Sequence, residues 1–249
     1  MPNRTDPIAG KAVVVTGASS GIGSEVAMML AERGASVMLA ARRRERIDML
    51  AETIIGAGGR AIAVQADVTL IGDVRNLIQR AVDEFGRVDV LVNNAGVARL
   101  GRLDQLDLDD WSTMIDVNVR DLLNGLASAL PVFRRQGHGH VITTVSTSGI
   151  TISPSMGVYA ATKNAARTIM EGLRKESTDG VVRTTEISPG FVQTELADGM
   201  EPAARQQIQT GMREFGLDPK AVARAMCFAV EQPDDVEIGT LTIRPTVQS

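Results

Sequence analysis

Short runs of β-branched and other apolar residues alternate along the chain with longer stretches in which apolar residues recur every three or four positions. The run at 11–16 is continuously apolar between its ends, which is typical of a strand covered on both faces. The stretch at 20–33 has its apolar side chains on one helical face and is followed by Gly34. The same alternation predicts strands at 11–16, 36–40, 61–64, 88–92, 141–145, 181–187 and 241–244, and helices at 20–33, 44–55, 71–85, 109–135, 155–177 and 219–231.

This order of elements predicts an α/β fold made of one doubly wound, Rossmann-type domain. Seven strands joined by crossover helices favour a parallel sheet with helices on both faces. No stretch rich in proline, glycine and serine divides the chain, so we expect a single domain over residues 1–249. Residues 1–9 lack a clear pattern and are expected to form a flexible tail.

Glycine-containing and polar segments follow the predicted strands. In a doubly wound sheet, ligands bind beyond the carboxyl ends of the strands. We therefore expect these segments to share one crevice. They are 16–17, 41–42, 67–68, 93–96, Ser146 and 188–190.

The segment between the first strand and the first helix carries glycines with the spacing G-x-x-x-G-x-G, at Gly17, Gly21 and Gly23. Glycines let the backbone approach a diphosphate, and the free N–H groups at a helix start attract anions. A strand before this loop and a helix after it are the context that a dinucleotide-binding loop requires. A tight turn without a ligand is the structural alternative.

The same loop also reads as G-x-S-x-G, with Ser19 at the position of a hydrolase nucleophile. That interpretation needs a histidine base late in the chain. The two histidines, His138 and His140, lie in the glycine-flanked stretch 137–140, which we expect to be a solvated turn. The sequence therefore disfavours a hydrolase.

The end of the second predicted strand indicates which dinucleotide fits. An NAD site usually has an acidic residue here that binds the ribose hydroxyls, whereas arginine suits the 2′-phosphate of NADP. Arg42 and Arg43 stand at this point, with no acid where one is expected. They favour NADP(H), although a basic helix start facing solvent is the alternative.

Tyr159 and Lys163 are four residues apart and so share one face of a predicted helix. A free tyrosine has a pKa of about 10, and a nearby cation lowers it. Lys163 is thus expected to lower the pKa of Tyr159, which could then exchange a proton with a carbonyl or alcohol oxygen. Ser146, at a strand end, could donate a hydrogen bond to the same oxygen.

These motifs, in this order and spacing over nearly the whole chain, resemble the short-chain dehydrogenase/reductase family. The resemblance implies the strand order 3-2-1-4-5-6-7 and hydride transfer between a nicotinamide and a carbonyl or alcohol carbon. It rests on residues 16–23, Asp67, Val68, residues 93–96, Asn118, Ser146, Tyr159, Lys163, Pro189, Gly190 and Thr194.

The resemblance also implies roles for individual residues. Tyr159 would be the acid/base and Ser146 would hold the substrate oxygen. Lys163 would bind the nicotinamide ribose, and Asn118 would hold a water in the proton path. The expected cofactor-binding residues are Gly17, Ser19, Ser20, Gly21, Ile22, Gly23, Arg42, Arg43, Asp67, Val68, Asn94, Ala95, Gly96, Tyr159, Lys163, Pro189, Gly190, Val192 and Thr194.

Segments 111–116 and 241–249 resemble the NADP-dependent subgroup that contains 3-hydroxy acid (serine-type) dehydrogenases and clavulanate dehydrogenase. Residues 190–216 are expected to form a substrate loop or lid. A partly apolar pocket is predicted from Ile150, Met156, Val158, Phe191 and Met200.

Composition excludes several other classes. With 26 Lys and Arg against 30 Asp and Glu, the formal charge is −4, and no basic stripe indicates nucleic acid. No apolar run approaches the length of a membrane helix, and two histidines with one cysteine supply too few ligands for a metal site. We expect a cytoplasmic enzyme with a small-molecule substrate and, by the family resemblance, a homotetramer. An NAD-linked dehydrogenase and a non-catalytic, nucleotide-binding redox sensor are the alternatives.

Overall fold

Seven parallel strands form one sheet in the computed structural model, which describes residues 6–105 and 107–248. Their order across the sheet is β3-β2-β1-β4-β5-β6-β7. This order confirms the predicted doubly wound, Rossmann-type fold. The strands are β1 (Ala12–Thr16), β2 (Ser36–Ala41), β3 (Arg60–Gln65), β4 (Val90–Asn93), β5 (Gly139–Thr144), β6 (Val182–Pro189) and β7 (Thr240–Ile243).

Helices connect the strands and cover both faces of the sheet. Between α4 and α5 the chain forms a π-helical turn, Asp116–Arg120, so that the predicted helix at 109–135 consists of three consecutive segments. The helices are α1 (Gly21–Glu32), α2 (Arg44–Gly56), α3 (Ile71–Phe85), α4 (Leu108–Ile115), α5 (Asp121–Gln136), α6 (Gly157–Glu176), α7 (Pro202–Phe215) and α8 (Pro219–Val230).

The central strand β1 shows why the sheet needs helices on both sides. All five of its residues are buried. Val13 and Val15 pack into the core layer beneath α1, α2 and α8, whereas Val14 packs into the opposite layer beneath α3, α5 and α6. Because alternate side chains of a strand point to opposite faces, a continuously apolar strand requires a cover on each.

The chain start differs from the expectation of a flexible tail. Ile8 is fully buried in the core layer beside α1 and α8. Asp6 accepts hydrogen bonds of 2.8 and 2.9 Å from the guanidinium of Arg33. The prediction is therefore wrong for residues 6–9, which burial and an ion pair fix to the domain. Residues 1–5 of the predicted tail lie outside the described residues.

One further expectation is corrected. His140 does not lie in a solvated turn: it is buried in β5, and its Nε2 atom is 2.8 Å from the Thr185 hydroxyl. The segment 190–216, expected to be a substrate loop or lid, contains the helix α7, which begins at Pro202. Its role as a lid stays a prediction. None of the helices in the described residues is both long enough and apolar enough to span a bilayer.

Candidate active site

A cleft with a volume of about 880 Å³ opens at the carboxyl ends of the strands. The predicted cofactor-binding residues lie together in its wall, with the exception of Gly23. Those that line it are Gly17, Ser19, Ser20, Gly21, Ile22, Arg42, Arg43, Asp67, Val68, Asn94, Ala95, Gly96, Tyr159, Lys163, Pro189, Gly190, Val192 and Thr194.

The loop between β1 and α1 has a backbone that other residues would not accept. Gly17 and Gly21 have φ values of +64° and +58°, in the left-handed region that favours glycine. A Cβ atom at Gly23 would collide with the carbonyl of Gly17, so Gly23 serves the packing of α1 against the loop and not the cleft surface. At Gly17 and Gly21 the loop therefore presents backbone without side chains to the cleft.

The start of α1 is suited to an anion. Its N-cap residue, Ser20, makes no side-chain capping bond, and no acidic residue lies in the first turn. The first N–H groups of α1 are therefore not bound by the side chain of Ser20. They are free to bind a ligand, together with the positive end of the helix dipole. This geometry fits the diphosphate of a dinucleotide.

Arg43 is the basic residue most firmly held at this end of the cleft. Its guanidinium donates to the Ser19 hydroxyl at 2.8 and 3.1 Å and to the Ser20 hydroxyl at 2.8 Å. It also forms an ion pair of 2.6 Å with Glu195. The exposed side chain of Arg42 lies beside Asp67, whose pKa its charge helps to lower. These two arginines and Ser19 could together hold a phosphate.

Asn94 joins three strand ends at the floor of the cleft. Its Nδ2 atom donates to the carbonyl of Thr16 at 3.1 Å, and its Oδ1 atom accepts from the Thr144 hydroxyl at 3.1 Å. The hydroxyl of Thr16 in turn accepts from the backbone N–H groups of Asn94 and Ala95, at 3.0 and 3.1 Å. The ends of β1, β4 and β5 are thus one hydrogen-bonded unit.

Gly96 lies where two predicted site residues meet. A Cβ atom here would be 3.3 Å from the Lys163 amine and 3.4 Å from Asn118 Oδ1. The distance to Lys163 is tighter than most Cβ contacts, and that to Asn118 is at the short end of ordinary van der Waals contact, so a glycine here leaves room for the Lys163 amine.

Tyr159 and Ser146 form the polar centre of the cleft. Burial raises the pKa of Tyr159, and a hydrogen bond from the Ser146 hydroxyl opposes this rise. The oxygen of Ser146 accepts from the backbone N–H of Ser148 at 3.1 Å, which fixes its position at the end of β5. From the sequence, Lys163 is expected to lower the pKa of Tyr159. The structure differs, because the opposing contact comes from Ser146 and the net pKa is raised.

Lys163 is bound to the sheet. Its amine donates to the carbonyl of Thr144 at 3.0 Å. Burial lowers its pKa to about 8, while the charge of the buried Asp121 favours the protonated amine. Burial raises the pKa of Asp121 in turn, and the Thr16 hydroxyl lies 3.5 Å from its carboxylate. Asp121 is a neighbour of the site that the motif analysis missed.

Asn118 lies behind the cleft wall. It is buried in the π-helical turn. Its Oδ1 atom accepts from the backbone N–H of Val97 at 2.9 Å, and its Nδ2 atom donates to the carbonyl of Val97 at 2.9 Å. Its Nδ2 atom also donates to the Thr162 hydroxyl at 3.0 Å, and that hydroxyl donates to the carbonyl of Tyr159 at 2.7 Å. Asn118 thus links the segment after β4 to α6, and its role in a proton path stays a prediction.

The other side of the cleft is largely apolar. Of the predicted pocket residues, Met156, Phe191 and Met200 line it, whereas Ile150 and Val158 do not. The helix α7, which the sequence analysis did not predict, contributes further side chains to this wall. They are Ile208, Met212 and Phe215.

Arg46 and Glu195 were also missed. Arg46 Nη1 lies 2.6 Å from one carboxylate oxygen of Glu195, and Arg43 Nη1 lies 2.6 Å from the other. Two features of the sequence point to them: Arg46 is four residues after Arg42 at the start of α2, and Glu195 directly follows Thr194.

The family is decided by a comparison with family models. The model described as short chain dehydrogenase matches residues 11–205. The chain belongs to the short-chain dehydrogenase family. An uncharacterised oxidoreductase of Listeria innocua is 39% identical to this family member over 244 residues, which cover 97% of this chain and 98% of the relative.

Solved structures of short-chain dehydrogenases include similar chains with either nicotinamide cofactor. The closed form of serine dehydrogenase with NADP+ has a TM-score of 0.89 at 30% identity and covers 95% of this chain and 96% of that one. A short-chain dehydrogenase/reductase of Burkholderia phymatum with NAD has a TM-score of 0.88 at 29% identity, covering 95% and 89%. Similarity to these structures therefore does not distinguish between NAD and NADP as the cofactor.

Proposed function

We propose that the protein is an NADPH-dependent carbonyl reductase and alcohol dehydrogenase, acting between a ketone and a secondary alcohol. The observation that carries this proposal is that Ser146 and Tyr159 line the same cleft, with the buried amine of Lys163 beside Gly96. Two hydroxyls in the wall of one cleft can together bind one carbonyl oxygen.

The cleft residues fit a dinucleotide. The bare glycine loop and the start of α1 would hold the diphosphate, and Asp67 and Val68 would contact the adenine end. Ser19, Arg42 and Arg43 would bind the 2′-phosphate through charge-assisted hydrogen bonds. The nicotinamide, when bound, supplies or accepts the hydride.

The side chains at the centre would handle the proton. In reduction, the Tyr159 hydroxyl donates its proton to the substrate oxygen, while Ser146 holds that oxygen by a hydrogen bond. The same two groups act in reverse when an alcohol is oxidised. Lys163, held by Thr144 and facing the cleft, would bind the nicotinamide ribose and bring a cation near Tyr159.

A panel of ketones with NADPH tests the proposal. The loss of nicotinamide absorbance at saturating NADPH should reveal turnover of at least one ketone, and an equal concentration of NADH should give a lower kcat/KM. If no ketone is reduced although the nucleotide binds, the alternative of a non-catalytic nucleotide sensor is favoured.

One observation favours an NAD-linked dehydrogenase as the second candidate. Glu195 already occupies part of the Arg43 guanidinium that a 2′-phosphate would need. A higher kcat/KM with NADH than with NADPH would support this candidate.

The substrate belongs to the proposal only as a small carbonyl or alcohol compound that fits a partly apolar pocket. The serine-type subgroup resemblance is one guide to the choice of ketones. The cytoplasmic location and the homotetramer stay predictions. Size-exclusion chromatography with light scattering tests the second.

A further inference from the structure

Glu195 bridges two arginines across the mouth of the cleft. It lies in the short 3₁₀ turn Glu195–Ala197, directly after the cleft residue Thr194. Its two carboxylate oxygens each form an ion pair of 2.6 Å, one with Arg43 and one with Arg46. The hydrogen bonds from both arginines hold the pKa of Glu195 at about 2, so the carboxylate is ionised throughout the neutral range.

The contact is unusual in its reach and in its place. Arg43 and Glu195 are 152 residues apart in the chain, and the pair joins the start of α2 to the segment before α7. The other donors of Arg43 bind the Ser19 and Ser20 hydroxyls of the glycine loop. A carboxylate of the protein thus occupies the basic corner where the proposed function puts the 2′-phosphate.

We propose that Glu195 sets the cofactor selectivity, because it competes with the 2′-phosphate of NADP(H) for Arg43 and Arg46. This inference rests on the proposed NADP-binding function and deepens it. A phosphate that reaches Arg43 takes over its guanidinium and repels the carboxylate beside it, so Glu195 must leave. NAD(H), which has no phosphate at this position, binds without breaking either ion pair.

The exchange also connects the adenosine end of the cleft to residues 194–198, which precede α7. The two ion pairs connect residues 194–198 to the start of α2. When a 2′-phosphate replaces the carboxylate of Glu195, both ion pairs break and this connection is lost. Arg46, released from Glu195, becomes a second cation for the phosphate.

The size of the effect follows from the exposure of the pairs. The side chains of Arg43, Arg46 and Glu195 are 40–47% exposed, so water screens both interactions. A phosphate that must break two exposed ion pairs before it binds should have a Kd raised by roughly 3- to 10-fold.

Binding of two fragments, 2′,5′-ADP and ADP, tests the inference without the nicotinamide or catalysis. Calorimetry on the full-length protein should show that Glu195→Gln lowers the Kd of 2′,5′-ADP by roughly 3- to 10-fold and leaves that of ADP within about twofold. The matched control is Glu45→Gln. Glu45 is also an exposed acid beside these arginines, in the first turn of α2, but forms none of the ion pairs found in residues 6–105 and 107–248. It should leave both values unchanged.

Hydrogen exchange gives a second measurement. In the wild type, 2′,5′-ADP should speed the exchange of the backbone amides in 194–198, whereas ADP should not. In Glu195→Gln this exchange should be fast with or without either fragment.

The outcomes separate this inference from the proposed function. A wild type that binds ADP as tightly as 2′,5′-ADP overturns the NADP preference itself. If the wild type binds 2′,5′-ADP more tightly than ADP, but Glu195→Gln does not lower the Kd of 2′,5′-ADP further, the role of Glu195 alone is overturned. An equal gain in Glu45→Gln would show a general effect of charge, and would overturn it also.

Discussion

The amine of Lys163 donates to the main-chain carbonyl of Thr144 over 3.0 Å, and so ties α6 to the end of β5. Ser146 lies two residues beyond Thr144, and Tyr159 lies one helical turn before Lys163. This part-buried hydrogen bond therefore joins the two segments that carry the Ser146 and Tyr159 hydroxyls of the cleft. The amine supports the site through the backbone, in addition to any role of its charge.

Tyr159→Phe should abolish most turnover and leave the fold intact. Removal of the proton donor should lower kcat by about 10²- to 10⁴-fold, the usual contribution of general acid catalysis. The ring remains in place, so the Kd of 2′,5′-ADP should stay within about twofold and the Tm within about 4 °C. Turnover close to that of the wild type would remove Tyr159 from the mechanism.

Arg43→Ala should weaken the binding of NADPH far more than that of NADH. The loss of charge-assisted bonds to a phosphate should raise the Kd of NADPH by about 10- to 100-fold. Arg44→Ala is the matched control, because Arg44 pairs with Asp48 one turn along the same helix. Equal weakening by the two substitutions, measured by fluorescence titration, would contradict a phosphate site at Arg43.

The buried Asp121 should make the free energy of unfolding depend on pH. Its pKa in the folded protein is raised to about 8, chiefly by burial, whereas an unfolded aspartate has a pKa of about 3.9. The folded state therefore binds one more proton than the unfolded state between these values. The resulting stabilisation is present below pH 4 and is lost as the pH rises towards 8.

The charged groups that face Asp121 are Lys163 on α6, which lowers its pKa, and Asp67 after β3, which raises it. Asp121→Asn removes the titration. As the pH rises from 5 to 8, the wild type should therefore lose stability that the variant keeps. The difference in free energy of unfolding between variant and wild type should grow by about 1–4 kcal/mol over this range. Urea denaturation at several pH values measures this difference. Parallel pH curves for the two proteins would show that Asp121 does not titrate in this range.

Ile8→Ala should destabilise the domain although residue 8 precedes the first strand. Ile8 is fully buried, so the substitution should cost about 2–5 kcal/mol in free energy of unfolding. The same substitution at Ile55, which is 55% exposed, should cost less than about 1 kcal/mol. Equal midpoints of urea denaturation for the two variants would contradict the packing of Ile8.

The regular part of the fold was predictable because each buried strand carries its own signal. The helix α3 was predicted at 71–85 and is found at Ile71–Phe85, and β1 differs by one residue at its start. The helix α7 was missed because Ile208 and Met212 are its buried residues and polar side chains dominate the rest. Ile8 was missed because a single apolar residue in a polar stretch has no periodicity.

The candidate site was predictable as a set of residues but not in its electrostatics. The rule that strand ends share one crevice was sufficient to bring Gly17, Asn94 and Ser146 together, whereas Tyr159, on α6, was predicted from its spacing to Lys163 and from the family resemblance. The contact of Arg43 with Glu195 depends on the path of a distant segment, which no local pattern encodes. The balance of burial and hydrogen bonding at Tyr159 depends on distances that spacing along the chain does not give.

The hydrogen bonds that Asn94 makes among three strand ends distinguish two parts of the cleft, its floor and its apolar wall. Its floor is cross-linked within the sheet, whereas the apolar wall from α7 comes from a separate excursion of the chain after β6. Mutations in α7 can therefore change the shape of the substrate pocket while Ser146 and Tyr159, which lie on other elements, stay in place. Evolution, or an engineer, can retune which compounds are accepted by editing this one helix.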